Sequence, residues 1–203
     1  MRKTLFTAAA LLAFSINANA QDIKLGIKAG ANFTTLKSNE GWLKSNTSAG
    51  YQAGVWGRIG GAKFHFQPEA YFTSKQTEIT IKPDAAASEL IKGDLKFTNI
   101  DIPLLIGTKI PLGPINAKLQ VGPLFSFVLD QEATYGKSIS NSYQDALKNY
   151  KDKFSAIVFG TGFDIGNTVI DLRYEYGLGN MSKYEGEKQT LNLWTISLGY
   201  SFF

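Results

Sequence analysis

The chain contains no cysteine, which excludes disulfide cross-links, a thiolate metal site and a cysteine nucleophile. It has one histidine, His65, so any Ser-His-Asp device would have to be built on that single side chain. Charge is scarce as well: Asp, Glu, Lys and Arg together make up 19% of the residues, against about 25% in ordinary soluble domains. After Gln21 no apolar run approaches the roughly 20 residues that a membrane-spanning helix needs. No basic stripe interleaved with aromatics offers itself to nucleic acid. What the 203 residues do hold is 20 glycines and 13% aromatics, a bias towards β-structure.

The first segment stands apart from the rest. "MRKTLFTAAALLAFSINANA" has a basic start at Arg2 and Lys3, a short apolar stretch from Leu5 to Ile16 and a small-x-small end at Ala18-Asn19-Ala20. That is the pattern of a secretory signal peptide over residues 1–20, cleaved before Gln21. Without Arg2 and Lys3 the basic count falls from 21 to 19 against 17 acids, so the mature chain carries about +2 and implies no strongly charged partner.

Beyond Gln21 the recurring signal is alternation, the period-two mark of a strand with two unlike faces. In "KFHFQPEAYFTSK" the residues Phe64, Phe66, Pro68, Ala70 and Phe72 fall on one side and Lys63, His65, Gln67, Glu69, Tyr71 and Lys75 on the other. In "TVIDLRYEYGL", Ile170, Leu172, Tyr174, Tyr176 and Leu178 oppose Asp171, Arg173, Glu175 and Gly177. Such runs predict eight strands, over residues 22–34, 49–59, 62–82, 94–111, 115–131, 154–165, 168–180 and 189–203. Each meets the 9–11 residues that a tilted strand needs to cross a bilayer. Tight connections at Gly60-Gly61, Leu112-Gly113-Pro114 and Gly166-Asn167 alternate with long ones at 35–48, 83–93, 132–153 and 181–188. Short turns on one side and long loops on the other describe an outer-membrane barrel with both termini in the periplasm. In the third long loop, Tyr143, Ala146, Leu147, Tyr150 and Phe154 recur at helical spacing behind a Ser142/Asp145 capping pattern, which predicts a short helix.

The tight hairpins decide which face points inward. A two-residue turn at Gly166-Asn167 sets Asp164 against Val169, Gly162 against Asp171, Gly160 against Arg173 and Val158 against Glu175. A turn at Gly60-Gly61 sets Arg58 against Lys63, Trp56 against His65 and Gln52 against Glu69. Large charged groups beside small ones fill a narrow interior, whereas the uniformly apolar opposite face suits lipid. Since hydrocarbon tolerates no unpaired backbone, the strands must close into a ring. The expected fold is therefore all-β: an eight-stranded antiparallel up-and-down transmembrane β-barrel formed by residues 21–203. Its interior is just wide enough for side chains. The expected lumen network comprises Lys24, Lys28, Arg58, Lys63, His65, Glu69, Asp101, Lys118, Gln120, Asp164, Asp171, Arg173 and Glu175. Pro68 and Pro103 fall inside predicted strands, where bulges would accommodate them.

Six segments taken in order, "KLGIKAGANFT", "FHFQPEAYFTSK", "FTNIDIPLLIGTKI", "LQVGPLFSFVL", "RYEYGLGNMS" and "SLGYSFF", resemble the PorT-like outer-membrane β-barrel family of Bacteroidetes-type bacteria. The resemblance implies an eight-stranded outer-membrane barrel, often labelled a porin-family protein, and carries over no catalytic residues. The shared positions Gly30, Asn32, Pro68, Glu69, Pro103, Gly122 and Gly177 look architectural. The founding member of that family is associated with protein secretion across the outer membrane and with gliding. An open aqueous pore, by contrast, belongs to barrels of about 16–18 strands.

No catalytic, cofactor or metal site emerges. His65 lies near a periplasmic turn, away from the outer loops; "GTGFDIG" has the wrong spacing for a dinucleotide site and runs into a strand; Asp171 and Glu175 flank Arg173 as an ion-pair ladder. The expected activity is non-enzymatic, exerted through the outer loops as a structural or partner-binding envelope protein. A narrow pore with Arg58, Arg173, Glu69 and Asp171 setting selectivity is one alternative. A secretion-system component, a lipid-active enzyme and a soluble lipocalin-like binder are others. The expected partners are outer-membrane lipid, the barrel-assembly machinery during biogenesis and an envelope protein met through loop aromatics Trp42, Tyr135, Tyr143 and Tyr150, with the chain itself a monomer. The chain closes on "LNLWTISLGYSFF", in which Trp194, Ile196, Leu198, Tyr200 and Phe202 share the lipid face. Tyr200 and Phe202 then form the C-terminal assembly signal, with Phe203 one residue out of phase.

Overall fold

The computed structural model describes residues 23–38, 43–61, 63–81, 91–135, 152–178 and 189–203. The expected signal peptide, the Ser142–Tyr150 part of the expected helix and the loop residues Trp42, Tyr143 and Tyr150 lie outside these residues. Eight strands follow one another: β1 Ile23–Ser38, β2 Leu43–Gly60, β3 His65–Ile81, β4 Ile91–Leu112, β5 Ile115–Tyr135, β6 Lys153–Ile165, β7 Thr168–Gly177 and β8 Gln189–Ser201. Each pairs antiparallel with its neighbour in sequence, and β8 returns to β1, so the sheet closes as a barrel. Closure matters because a strand edge inside hydrocarbon would leave a row of N–H and C=O groups unpaired.

The tight turns carry the backbone conformations their glycines permit. Gly113 and Gly166 have φ of +71° and +58°, which L side chains seldom adopt, and each opens a two-residue turn. The β6–β7 register is the expected one residue for residue, with Asp164 opposite Val169, Gly162 opposite Asp171, Gly160 opposite Arg173 and Val158 opposite Glu175. The β2–β3 hairpin differs from the expectation. Gly60 pairs with His65, so residues 61–64 form the turn, and Glu69 lies opposite Trp56 in place of Gln52. The displacement is four residues, an even number, so the side chains that stay in the two strands keep the faces predicted for them, while Lys63 is lost to the turn.

Three further expectations are corrected. Pro68 and Pro103 do not sit at bulges. The β3–β4 register is the same on either side of the Pro68–Leu104 and Tyr71–Asp101 pairs, and the ladder simply skips the residues between. Likewise, pairing skips from Pro103–Leu124 to Ile106–Val121. A proline offers no N–H, so the ladder opens locally without gaining a residue. The register shifts fall elsewhere, between Thr47 and Tyr51 and between Thr98 and Asn99. Phe154, which the helical spacing had included, is in β6, paired with Ser126. Finally, β1, β2 and β5 run four or more residues past their expected ends, to Ser38, Leu43 and Tyr135, and β4 begins three residues early, at Ile91.

Burial alternates along the strands as a barrel in lipid requires. On β8, Trp194, Ile196, Leu198, Tyr200 and Phe202 are exposed on the outer wall while Thr195, Ser197, Gly199 and Ser201 are buried inside. A shallow apolar hollow lies on the outer wall between Phe64, Ile106, Phe159 and Trp194.

Candidate functional site

The lumen concentrates the polar chemistry. Alternation sends every second side chain of each strand inward, and the inward set includes Lys28, Arg58, Lys75, Lys118 and Arg173 against Glu69, Asp101, Asp164, Asp171 and Glu175, all buried. Five bases meet five acids, so these ten buried groups carry no net formal charge. Desolvated charges are tolerated only when paired and hydrogen-bonded, and the geometry supplies both.

Two connected clusters result. In the larger, Arg173 grips Glu69 with both ends of its guanidinium, Nη2 lying 2.8 Å from Oε1. Lys28 Nζ reaches Glu69 at 3.1 Å and Asp171 at 2.5 Å. Lys118 ties Asp171 at 2.7 Å to Asp164 at 2.9 Å, and Arg58 donates to the other oxygen of Asp164. Tyr71 donates to Glu69 at 2.7 Å, Gln120 donates to Gln67 at 2.9 Å, and Gln67 in turn donates to Glu69 and accepts from Arg58. Trp56 packs among the cations, with Arg58 5.0 Å and Lys28 5.6 Å from its ring centre, and its indole N–H donates to the Ile27 carbonyl at 3.2 Å. The smaller cluster is centred on Lys75, which lies 2.8 Å from Asp101 and 3.3 Å from Glu175, with Ser126 donating to Asp101. Members of these clusters come from seven of the eight strands, β1 through β7 with the exception of β4 in the first and β3, β4, β5 and β7 in the second, so side chains cross-link the ring from within.

Close packing of this network depends on small neighbours. A Cβ on Gly162 would stand 2.2 Å from the Ile170 carbonyl oxygen, 2.5 Å from Asp171 Oδ1 and 3.0 Å from Lys118 Cε. The glycine opposite Asp171 is thus what lets Lys118 reach between the two acids.

Most of the residues singled out from the sequence converge here: Lys28, Arg58, Glu69, Asp101, Lys118, Asp164, Asp171, Arg173 and Glu175 are buried members of the two clusters. His65 is also buried, with its Nε2 3.0 Å from the Gln120 amide nitrogen. Lys24, near the start of β1, is only half-buried, and Lys63 is exposed because it falls in the four-residue turn before β3. Sequence reasoning did not assign Lys75 to the network, although alternation had already placed it on the face of Glu69 and Tyr71. It also missed the inward apolar residues. Leu105, Leu124, Ala156 and Val158 form one buried patch, and Leu95, Phe97, Leu191 and Leu193 are buried on inward positions nearer the outer end. Around Leu105, Leu124, Ala156 and Val158 the strands are apolar on both faces, so period two carries no contrast to read, whereas at Leu95 and Phe97 the contrast is reversed, with Asp94, Lys96 and Thr98 on the outer face. Among the described residues no group of His, Asp and Glu side chains is arranged to hold a metal ion.

The comparisons with known proteins follow the architecture. A family model described as an outer membrane protein beta-barrel domain matches residues 19–183. Among solved structures, Ail, the attachment invasion locus protein of Yersinia pestis, crystallised in complex with the heparin analogue sucrose octasulfate, is 15% identical over 89% of this chain and 99% of its own, with a TM-score of 0.40. Neisserial surface protein A is 11% identical over 88% of this chain and 97% of its own, with a TM-score of 0.43. No curated protein sequence matches the chain.

Proposed function

Because the chain belongs to the outer membrane protein β-barrel domain family, we propose that it is a non-enzymatic barrel with a sealed lumen that acts at the cell surface through its outer rim. On this reading it serves as a structural or partner-binding envelope protein. The observation that carries the proposal is the pairing of five buried bases with five buried acids across the lumen. Arg58, Arg173, Glu69 and Asp171, the residues that would set selectivity in a pore, are each engaged in ion pairs. A permeating solute would have to break several desolvated pairs, each of which costs on the order of 3–5 kcal/mol to disrupt from one side.

The same reading takes residues 1–20 as a signal peptide, the chain as a monomer of the PorT-like, Bacteroidetes-type kind, and Tyr200 with Phe202 as the signal handed to the barrel-assembly machinery. It leaves a role as a component of a secretion system as a use of the same rim, where the protein would dock and not conduct. Planar-bilayer recording of the purified full-length protein tests the proposal. The expected trace is silent at high protein concentration; reproducible long-lived current steps would overturn it in favour of a pore.

A further inference from the structure

The barrel ends unevenly on the side of the long connections. β4 and β5 have 22 and 21 residues and β2 and β3 have 18 and 17, whereas β6 and β7 have only 13 and 10. A tilted strand crosses hydrocarbon in about 9–11 residues, so β2 to β5 project beyond it. Their pairing shows what the projection looks like. β5 loses β6 at Phe127–Lys153, after which a last bond runs from the Val128 N–H to the Asp152 carbonyl at 2.9 Å. Its pairing with β4 nevertheless continues through Asp130–Thr98 and Glu132–Lys96 to Tyr135–Gly93. On the other flank β1 leaves β2 at Thr34–Ser48, while β2 and β3 stay paired to Leu43–Ile81. Strands β2 to β5 therefore stand above the closed ring as a small four-stranded sheet, and β1 with β8 continues beside them as a shorter ribbon paired to Ser38–Gln189. Among the described residues, β5 from Asp130 to Tyr135 has a β-neighbour on one side only.

Such an edge presents the N–H and C=O of alternate residues to a newcomer, and proteins ordinarily blunt it with proline, lysine or a bulge; here the Gln131 N–H already donates to Asp130 Oδ1 at 2.9 Å, a local bond that an added strand would replace. Asp130–Tyr135 reads "DQEATY", with neither proline nor lysine, and the register shift opposite Thr98/Asn99 lies below it. The charges on the outward face have one sign on the edge strand. Asp130 and Glu132 are both exposed, and Asp94 is exposed behind them on β4. Lys96 answers Glu132 at 3.1 Å, and Lys153 stands at the foot of the edge against the Phe127 ring. A second copy of this chain is a poor occupant, because pairing edge to edge would bring the same two acids face to face.

We infer that Asp130–Tyr135 is a strand-addition site that takes an extended, basic segment of a partner protein, laid antiparallel to β5 with Lys or Arg at alternate positions against Asp130 and Glu132. The backbone would supply affinity and the two carboxylates the choice of sequence. The inference rests on the reading that the rim, and not the lumen, carries the activity.

The test uses the full-length protein in nanodiscs and two synthetic probes, a peptide of alternating Lys and Thr and one of alternating Glu and Thr. Binding is read by fluorescence anisotropy and amide exchange by mass spectrometry. The expected result is binding of the Lys peptide, slower exchange within 130–135 on its addition, and at least a tenfold loss of affinity in Asp130→Lys/Glu132→Lys, whose exposed positions leave the barrel intact. Equal binding of the Glu peptide, or no binding of either, overturns the inference. So does protection of these amides before any peptide is added, since the chain's own connecting residues would then occupy the edge, or protection that appears only as protein concentration rises, which would point to a second copy. A silent bilayer trace together with an inert edge would remove this inference alone; a conducting protein would remove the sealed-lumen reading alone.

Discussion

Arg173 on β7 holds Glu69 on β3 across the lumen, one guanidinium against both carboxylate oxygens, with both side chains buried. A two-point grip between charges taken out of water is strong only while both partners are present. Arg173→Met should therefore cost about 3–5 kcal/mol, because Glu69 would be left buried with Lys28 as its one remaining basic partner. Replacing both, as Glu69→Leu with Arg173→Met, should recover a good part of that loss, since Lys28 can still pair with Asp171. Urea unfolding in lipid bilayers, followed by tryptophan fluorescence, measures both. Equal stability of the single variant and the wild type would mean that the network contributes nothing to holding the ring.

That pair also marks how far the sequence could be read. The β6–β7 register, and with it the placement of Gly160 and Gly162 beside Arg173 and Asp171, followed from one dipeptide, because a two-residue turn leaves a hairpin no freedom. The β2–β3 pairing was displaced by four residues, yet Arg58, His65 and Glu69 still faced inward because the error was even. Strand number, closure and sidedness are local consequences of period two. Which acid meets which base across the lumen is not local: Arg173 and Glu69 are 104 residues apart, and their meeting depends on the stagger of the whole ring. Of the projecting sheet, β3 was read in full, whereas the far ends of β2, β4 and β5 were cut short; in β5 the run Asp130-Gln131-Glu132 is polar on both faces, so alternation fades just where the strand loses β6.

Glycine at position 162 should be indispensable in a way that Gly61 is not. An added Cβ at 162 meets backbone oxygen at 2.2 Å and the Asp171 carboxylate at 2.5 Å, whereas one at Gly61 meets nothing within 4 Å. Gly162→Ala is expected to cost several kcal/mol, in the range of overpacked interiors or above it, and Gly61→Ala to stay within about 0.5 kcal/mol. The same unfolding assay ranks the two; similar losses would show that the β6–β7 wall can move aside.

Residues 136–151 should be dispensable for the barrel, because β5 and β6 close against each other at Phe127–Lys153, below that segment. A ten-residue Gly/Ser linker can extend to roughly 33 Å, enough to return from Tyr135 to Asp152. The shortened protein is expected to keep its heat-dependent shift in gel migration and to differ in stability by less than about 1 kcal/mol. Failure to assemble would make the segment part of the fold.

The last two residues should differ in importance although both are phenylalanine. The Phe202 N–H donates to the Leu25 carbonyl at 2.8 Å, which extends the β8–β1 seam by one bond, and its ring sits on the outer wall 6.4 Å from that of Tyr200 in an edge-on arrangement. Phe203 lies past the end of the ladder, its carbonyl accepting the Ser201 hydroxyl at 2.5 Å. If assembly reads an outward aromatic in register with a second one two residues earlier, Phe202→Ala removes the signal and deletion of Phe203 leaves it standing. The amount of folded barrel recovered from outer membranes is therefore expected to fall several-fold in Phe202→Ala and much less in the deletion. The opposite order would mean that recognition follows the chain terminus itself and ignores which side of the wall the ring occupies.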